Sequence, residues 1–305
     1  MSAGTSHTIA VIGLGSMGLG MAQSLLRAGH VVRGFDVTPA ATSALATAGG
    51  VVGHSPADAA ASASIVAVVV VNSGQTETVL FGPSGIVPAM QPGSVIISCA
   101  TMAPAVARTL AARCAETGLL YLDAPMSGGA ARAGSGELTF MASGTPQAFA
   151  AARPALDAMA GKVYELGDEA GIGASFKMVN QLLAGVHIAA ACEAITFASK
   201  LGLDIAKVYE VITASAGNSW MFENRVPHIL DGDYSPRSAV NIFTKDLGIV
   251  SDIGRAETFP LPIAASALQL FLMTAAAGMG RDDDASPARL IAEITGIALP
   301  ARTDA

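Results

Sequence analysis

Thr8-Ile9-Ala10-Val11-Ile12-Gly13-Leu14-Gly15-Ser16-Met17-Gly18 decides how the first half of this chain folds. Thr8 to Ile12 reads as a short buried strand, and Gly20 to Ala28 as a helix closed by Gly29. The three glycines therefore join a strand to a helix N-terminus, where unpaired backbone N–H groups and the helix dipole favour an anion such as a pyrophosphate. In that setting Gly13 makes the tight turn, Gly15 lets phosphates come close, and Gly18 lets helix pack on strand. A glycine string alone says little, because loops collect glycine; the flanking elements supply the specificity. A second strand, Val31 to Phe35, ends in Asp36, which stands about 20 residues beyond the loop, where a carboxylate can accept hydrogen bonds from an adenosine ribose. Asp36 would repel a 2′-phosphate, and the nearest cation, Arg33, lies inside the strand. NAD is expected over NADP.

Working outward, the first half alternates strand and helix. Ser55-Pro56 with Asp58 marks a helix start, and Ile65 to Val71 is a continuous apolar strand of the kind covered on both faces. Val95–Ser98, Leu119–Ala124, Leu138–Ala142 and Val163–Leu166 are further strands, with helices opening at Ala103-Pro104 and Thr145-Pro146. The spacing implies a doubly wound sheet with an extended far edge. Strand signals then stop. The chain is expected to form an α/β Rossmann-type doubly wound sheet followed by an all-α C-terminal domain. Residues 1–170 bind the dinucleotide in this reading, and residues 171–305 start with a long helix from Ser175 to Lys200 that is buried on all sides.

Composition narrows the function classes. With 17 basic and 24 acidic residues among 305, the net charge of −7 argues against nucleic acid or an acidic membrane surface as partner. The hydrophobic fraction of 51% raises a membrane question, but the longest strongly apolar run, Ile65–Val71, is far short of the ~20 residues a span needs. Met1 to Thr8 is polar, unlike a signal peptide. Cys99, Cys114 and Cys192 lack ligand or disulfide spacing, and the five histidines form no metal pattern. A cytoplasmic protein without a metal, and without a membrane or nucleic-acid partner, is expected.

In the helical half, Lys177 sits early in an apolar helix, where the dipole and desolvation both disfavour the ammonium and suit a general acid/base. A lysine that snorkels to solvent is the competing reading. Asn180 and Gln181 follow three and four residues on and share its face. Asp123-Ala124-Pro125-Met126-Ser127-Gly128-Gly129 leaves the end of a strand, the edge where open α/β sheets bind ligands; Ser127 and the N–H groups of Gly128 and Gly129 suit a carboxylate. His187 and Trp220 read as core groups, and Lys245-Asp246 as a surface ion pair.

These blocks, in this order, resemble the β-hydroxyacid dehydrogenase (3-hydroxyisobutyrate dehydrogenase-like) family over Ile9 to about Ile291: Gly13–Gly18, Asp123–Gly129, Gly171-Ile172-Gly173-Ala174-Ser175-Phe176-Lys177-Met178-Val179-Asn180-Gln181, and Lys245-Asp246-Leu247. The resemblance implies an NAD-dependent oxidation of a small hydroxy acid, with Lys177 catalytic. It implies that Ser127, Gly128, Gly129, Asn180 and Gln181 hold the substrate. Gly13, Leu14, Gly15, Ser16, Met17, Gly18, Asp36, Val71, Asn72, Thr101 and Lys245 would hold the cofactor. The family often has Asn-Asn where this chain has Asn180-Gln181. Within it, Gly217–Arg225 and Asp231–Tyr234 look most like members that oxidise a four-carbon sugar acid, and Asn218 and Ser219 would suit a polyhydroxy substrate. The apolar long helix points to a homodimer or homotetramer.

Overall fold

In the computed structural model, which describes residues 6–302, six strands lie parallel in one sheet: β1 (Thr8–Ile12), β2 (Val31–Phe35), β3 (Val51–Val52), β4 (Ile65–Val68), β5 (Val95–Ser98) and β6 (Leu120–Asp123). Their order, β3-β2-β1-β4-β5-β6, is doubly wound, with the crossovers diverging between β1 and β4. Helices α1 (Gly18–Arg27), α2 (Pro39–Thr47), α3 (Pro56–Ala60), α4 (Ser73–Phe81) and α5 (Pro104–Ala115) make the connections. Alternation along β1 feeds two cores. Ile9 and Val11 pack with Leu25, Phe140 and Leu156, whereas Ala10 and Ile12 pack with Val66, Ile96 and Leu110. β4 is shorter than its apolar run. Val69 N still donates to Ile12 O at 2.7 Å, but the ladder stops at Val68, where the chain passes hard against the turn at Gly13. A Cβ on Gly13 (φ +95°) would stand 2.4 Å from Val69 O.

The far edge is not extended as the strand spacing implied. The chain instead builds a separate three-stranded sheet from β7 (Met126–Ser127), β8 (Leu138–Ala142) and β9 (Ala160–Glu165), with α6 (Gly129–Ser135) and α7 (Pro146–Met159) between them. β7 runs antiparallel to β8, and β9 parallel to it. Pro125 explains the break: it has no N–H to give a ladder, and its carbonyl accepts from Met141 N in the second sheet. The Asp123–Ser143 bridge ties the two sheets together.

The remainder is helical: α8 (Ile172–Lys200), α9 (Ile205–Thr213), α10 (Trp220–Leu230), α11 (Val240–Ala256), α12 (Pro262–Thr274) and α13 (Pro287–Thr295), with a π-type turn over Ala275–Met279. The chain divides into two compact units, one ending at Lys177 and the other starting at Met178. The helical unit has its own core, including Ile188, Cys192, Phe222, Val226 and a stacked Phe243–Phe271 pair with ring centroids 5.1 Å apart. Two helices, Ile172–Lys200 and Pro262–Met279, are long and apolar enough to cross a membrane by length and composition. Contrary to expectation, α8 is not buried on all sides: Val179, Leu183 and Phe197 are exposed.

The start of α8 is seated by hydrogen bonds. Asp123 Oδ2 accepts from Gly171 N and Ala174 N, both at 2.9 Å, and Ser143 Oγ accepts from Gly173 N at 2.9 Å. Gly173 permits this contact, since a Cβ there would lie 2.3 Å from Met141 O. Asp123 is 1% exposed, and burial pushes its carboxyl up to about 6, against the opposing pull of the Ala174 and Gly171 N–H groups and the Ser143 hydroxyl. A carboxyl that is raised in the folded state lends its stabilisation below the unfolded value of 3.8 and loses it as pH climbs through about 6. Between pH 5 and 7 the wild type should therefore lose about 1 kcal/mol relative to Asp123→Asn. Urea unfolding of both proteins at the two pH values checks this; a pH-independent difference would show that Asp123 does not titrate there.

Candidate active site

The dinucleotide turn takes the form its sequence demands. Gly18 packs so tightly that a Cβ would fall 1.8 Å from Gly13 O, while Gly15 has nothing within 4 Å of where its Cβ would be. Two glycines are thus required by close packing, and the middle one by open space that a side chain would fill. No side chain caps α1 behind Met17, as at α2, α5 and α6, but here the helix start adjoins the open Gly15. An uncapped helix end beside an open glycine cradle fits a pyrophosphate. Asp36 Oδ2 accepts from Leu14 N at 2.7 Å and its Oδ1 from Thr38 N at 2.8 Å, so the carboxylate is held at the end of β2 with lone pairs remaining for ribose hydroxyls. Arg33 is committed elsewhere, to Ala59 O at 3.2 Å and Asp58 O at 3.0 Å, which leaves it tied to α3. The residues present fit NAD.

The other expected cofactor positions leave the same edge of the sheet. Val71 and Asn72 follow β4, and Thr101 follows β5. Val71 is exposed and Thr101 partly buried. The Asn72 side chain accepts from Gln75 N at 2.9 Å, so its carboxamide oxygen caps α4.

After β6 the chain enters the Ser127-Gly128-Gly129 turn. Gly128 (φ +137°) and Gly129 (φ +74°) both hold backbone that side chains avoid. Lys177 lies here. Its Nζ donates to Met126 O at 2.8 Å, and the residue is 7% exposed. The snorkelling alternative fails: the lysine turns inward, to the residue that precedes Ser127. In the sequence Asp123 stands out only as part of a motif. Its carboxylate seats the helix that carries Lys177, a role visible in sequence only as an acid at a strand end.

In the helical unit a polar chain links two helices. Asn180 Nδ2 donates to Gln181 Oε1 at 2.9 Å, and Gln181 Nε2 donates to Asp246 Oδ2 at 2.5 Å. Lys245 Nζ stands 2.6 Å from Asp246 Oδ1. Lys245-Asp246 is therefore no surface pair: the Asp246 side chain is 1% exposed and that of Lys245 22%. Trp220, expected in the core, is exposed because it opens α10 just after its Ser219 cap, and His187 is only partly buried. Ser219 Oγ accepts from Phe222 N at 3.0 Å and Asn218 Nδ2 donates to Glu223 Oε1 at 2.5 Å, so these side chains are engaged in starting α10. A second buried cluster pairs Arg225 with Asp284 and His228 with Asp283, anchoring the segment before α13.

Two family models cover the chain: the NAD-binding domain of 6-phosphogluconate dehydrogenase over residues 8–167, and the NAD-binding domain of NADP-dependent 3-hydroxyisobutyrate dehydrogenase over residues 171–291. L-threonate dehydrogenase of Cupriavidus necator is 54% identical over 98% of this chain and 100% of its own. The Escherichia coli K12 enzyme of the same name is 45% identical, over 97% of this chain and 98% of its own. A crystal structure described as 3-hydroxyisobutyrate dehydrogenase from Salmonella typhimurium superposes with a TM-score of 0.90 at 45% identity, covering 93% of this chain and 100% of that one. Imine reductases at 21–23% identity share the fold alone. With these matches and an NAD cradle ending in Asp36, the chain belongs to the 3-hydroxyisobutyrate dehydrogenase-like family of NAD-dependent hydroxy-acid dehydrogenases.

Proposed function

We propose that this chain oxidises L-threonate to its 2-oxo acid, 2-dehydro-L-erythronate, with Lys177 as general acid/base. The observation that carries the reading is the buried Lys177 amine on the Met126 carbonyl, one residue ahead of Ser127-Gly128-Gly129. Relatives 44–54% identical that bear the L-threonate dehydrogenase name support the substrate. Bound NAD supplies the hydride acceptor. The Ser127 hydroxyl and the N–H groups of Gly128 and Gly129 receive the substrate carboxylate, while Asn180 and Gln181 form the carboxamide face for its hydroxyls. The Met126 carbonyl fixes the rotamer of Lys177, and the neutral amine takes the proton of the reacting hydroxyl onto Nζ. Leu14, Ser16 and Met17 of the glycine turn, with Val71, Asn72, Thr101 and Lys245, complete the proposed cofactor contacts. The reading extends to a cytoplasmic homodimer or homotetramer, supported by the exposed Phe197, Leu201 and Leu203 on and just beyond α8 and by three buried unpaired thiols.

Initial rates of NADH formation across L-threonate, D-threonate, D-erythronate, 3-hydroxyisobutyrate and D-glycerate test the substrate, with tartronate semialdehyde assayed in reverse. L-threonate should lead. Preference for 3-hydroxyisobutyrate, the substrate in the name of the Salmonella structure, or for tartronate semialdehyde would move the protein to another branch of the same family. Lys177→Ala should lower kcat about 10²–10⁴-fold while NAD titrates with near wild-type affinity; matching losses of turnover and NAD binding would remove Lys177 from the acid/base role. Asp36→Ala should weaken NAD and narrow the NAD/NADP ratio of kcat/KM; an unchanged ratio would show that cofactor choice is set elsewhere.

A further inference from the structure

Gly20, Ser24 and Arg27 follow one another at spacings of four and three residues, so they form one stripe along α1. That stripe meets α6, and both helices belong to the first unit. The contact is close: a Cβ on Gly20 would stand 2.7 Å from Gly134 N and 2.9 Å from Ala133 C. Ser24 Oγ donates to Ala133 O at 2.9 Å, and Arg27 Nη2 donates to Gly134 O at 2.5 Å and to Ser24 Oγ at 2.8 Å. α6 depends on these bonds more than a longer helix would. It has seven residues, with Ala133 its one buried residue, and a helix so short does not hold itself in water. At its C-terminal end Gly136 N and Glu137 N both donate to Arg132 O, while the next two carbonyls, of Ala133 and Gly134, take their donors from α1. The guanidinium also complements the negative end of the helix dipole.

We propose that Ser24 and Arg27 are positioning residues for the substrate: by holding α6 on α1, they fix the Gly128 and Gly129 N–H groups that receive its carboxylate. This rests on the reading of Ser127-Gly128-Gly129 as the carboxylate turn. Ser127 has its own support, since β7 pairs it with Thr139 of β8. Gly128 and Gly129 have left that ladder and lead straight into α6, both at positive φ. Gly128 also packs back on the helix, where a Cβ would lie 2.9 Å from Arg132 Cδ. A shift of α6 therefore carries both N–H groups with it, and charge-assisted hydrogen bonds to a carboxylate weaken quickly when their donors are misplaced. The helix that starts at the dinucleotide turn thus also seats the substrate turn. Cofactor and carboxylate are registered to one another on a single rigid element, through side chains in its second half.

The experiment compares wild type with Ser24→Ala, Arg27→Met and Arg27→Lys, and uses Ser127→Ala as a control on the carboxylate turn. Each protein is titrated with NADH and assayed, at saturating NAD, on the acid that leads the substrate panel. Ser24→Ala and Arg27→Met should raise KM for the acid about 5–20-fold, with kcat within about twofold of wild type and NADH affinity unchanged. Arg27→Lys, which keeps a donor, should recover part of the loss. Wild-type KM in Ser24→Ala and Arg27→Met, or a parallel loss of kcat and NADH affinity, would overturn the proposal. An unmoved KM in Ser127→Ala would show instead that the turn does not hold the carboxylate, and the proposal would fall with that reading. Amide hydrogen exchange gives a readout that needs no substrate. In Arg27→Met the amides of Gly129 to Gly134 should exchange at least about tenfold faster, while those of Leu19 to Leu25 stay as protected as in wild type. Unchanged exchange in α6 would overturn the proposal whatever the kinetics. No turnover of any acid by wild type would overturn the substrate role, and exchange would then judge only the seat of α6.

Discussion

The arrangement of the first unit depends on one buried carboxylate. Asp123 closes β6, and its backbone exchanges both hydrogen bonds with Ser143, N to O at 3.0 Å and O to N at 2.8 Å, which joins the main sheet to the small one. Its side chain then takes the N–H of Gly171 and of Ala174. A helix of 29 residues begins there with four N–H groups that need partners, and a single acid with one serine supplies three of them. Burying an acid among apolar strands is costly. The site tolerates it because two backbone N–H groups and the Ser143 hydroxyl are aimed at the carboxyl. The consequence reaches Lys177, on the second turn of this helix, which therefore arrives at the Met126 carbonyl only three residues after Asp123.

A different economy governs the dinucleotide end. α1 starts without a side-chain cap, beside the open Gly15. An uncapped, glycine-crowded helix end is unfavourable until an anion arrives, so binding energy is realised at the phosphates rather than consumed in displacing a cap. Asp36 works the same way at the ribose. It is fixed by two backbone N–H groups before any ligand comes, and preorganisation of that kind lowers the entropic cost of binding.

How much of this was legible follows from how far apart in sequence the partners stand. The glycine turn, the strands β1, β2, β5 and β8 and the helix caps at Ser55 and Thr145 are local patterns, and each appears in the structure where the sequence puts it. The break after β6 was not legible. β7 has two residues, too few for any periodicity, and its partner β8 begins eleven residues later. Lys245-Asp246 reads as a surface pair because charge at i and i+1 usually is one. Gln181, 65 residues upstream, accounts for Asp246 being buried, and no local signal records such a pairing. Trp220 departs from expectation for the opposite reason: its size favours the core, but its position at the first turn after a cap puts it outside.

The polar chain from Asn180 to Lys245 shows why such pairings matter more than their number suggests. Each carboxamide has two orientations of nearly equal energy in water, so an isolated Asn-Gln pair on a helix would sample several hydrogen-bonding faces. Placing an ion pair at one end removes the degeneracy, because only one orientation of Gln181 avoids setting an oxygen against a carboxylate. In a region with little water that penalty is paid in full. The order then propagates one residue at a time without any further charge. Lys245 and Asp246 thus set the orientation of two carboxamides on a neighbouring helix through hydrogen-bond polarity, while the buried charge stays neutralised by its own partner.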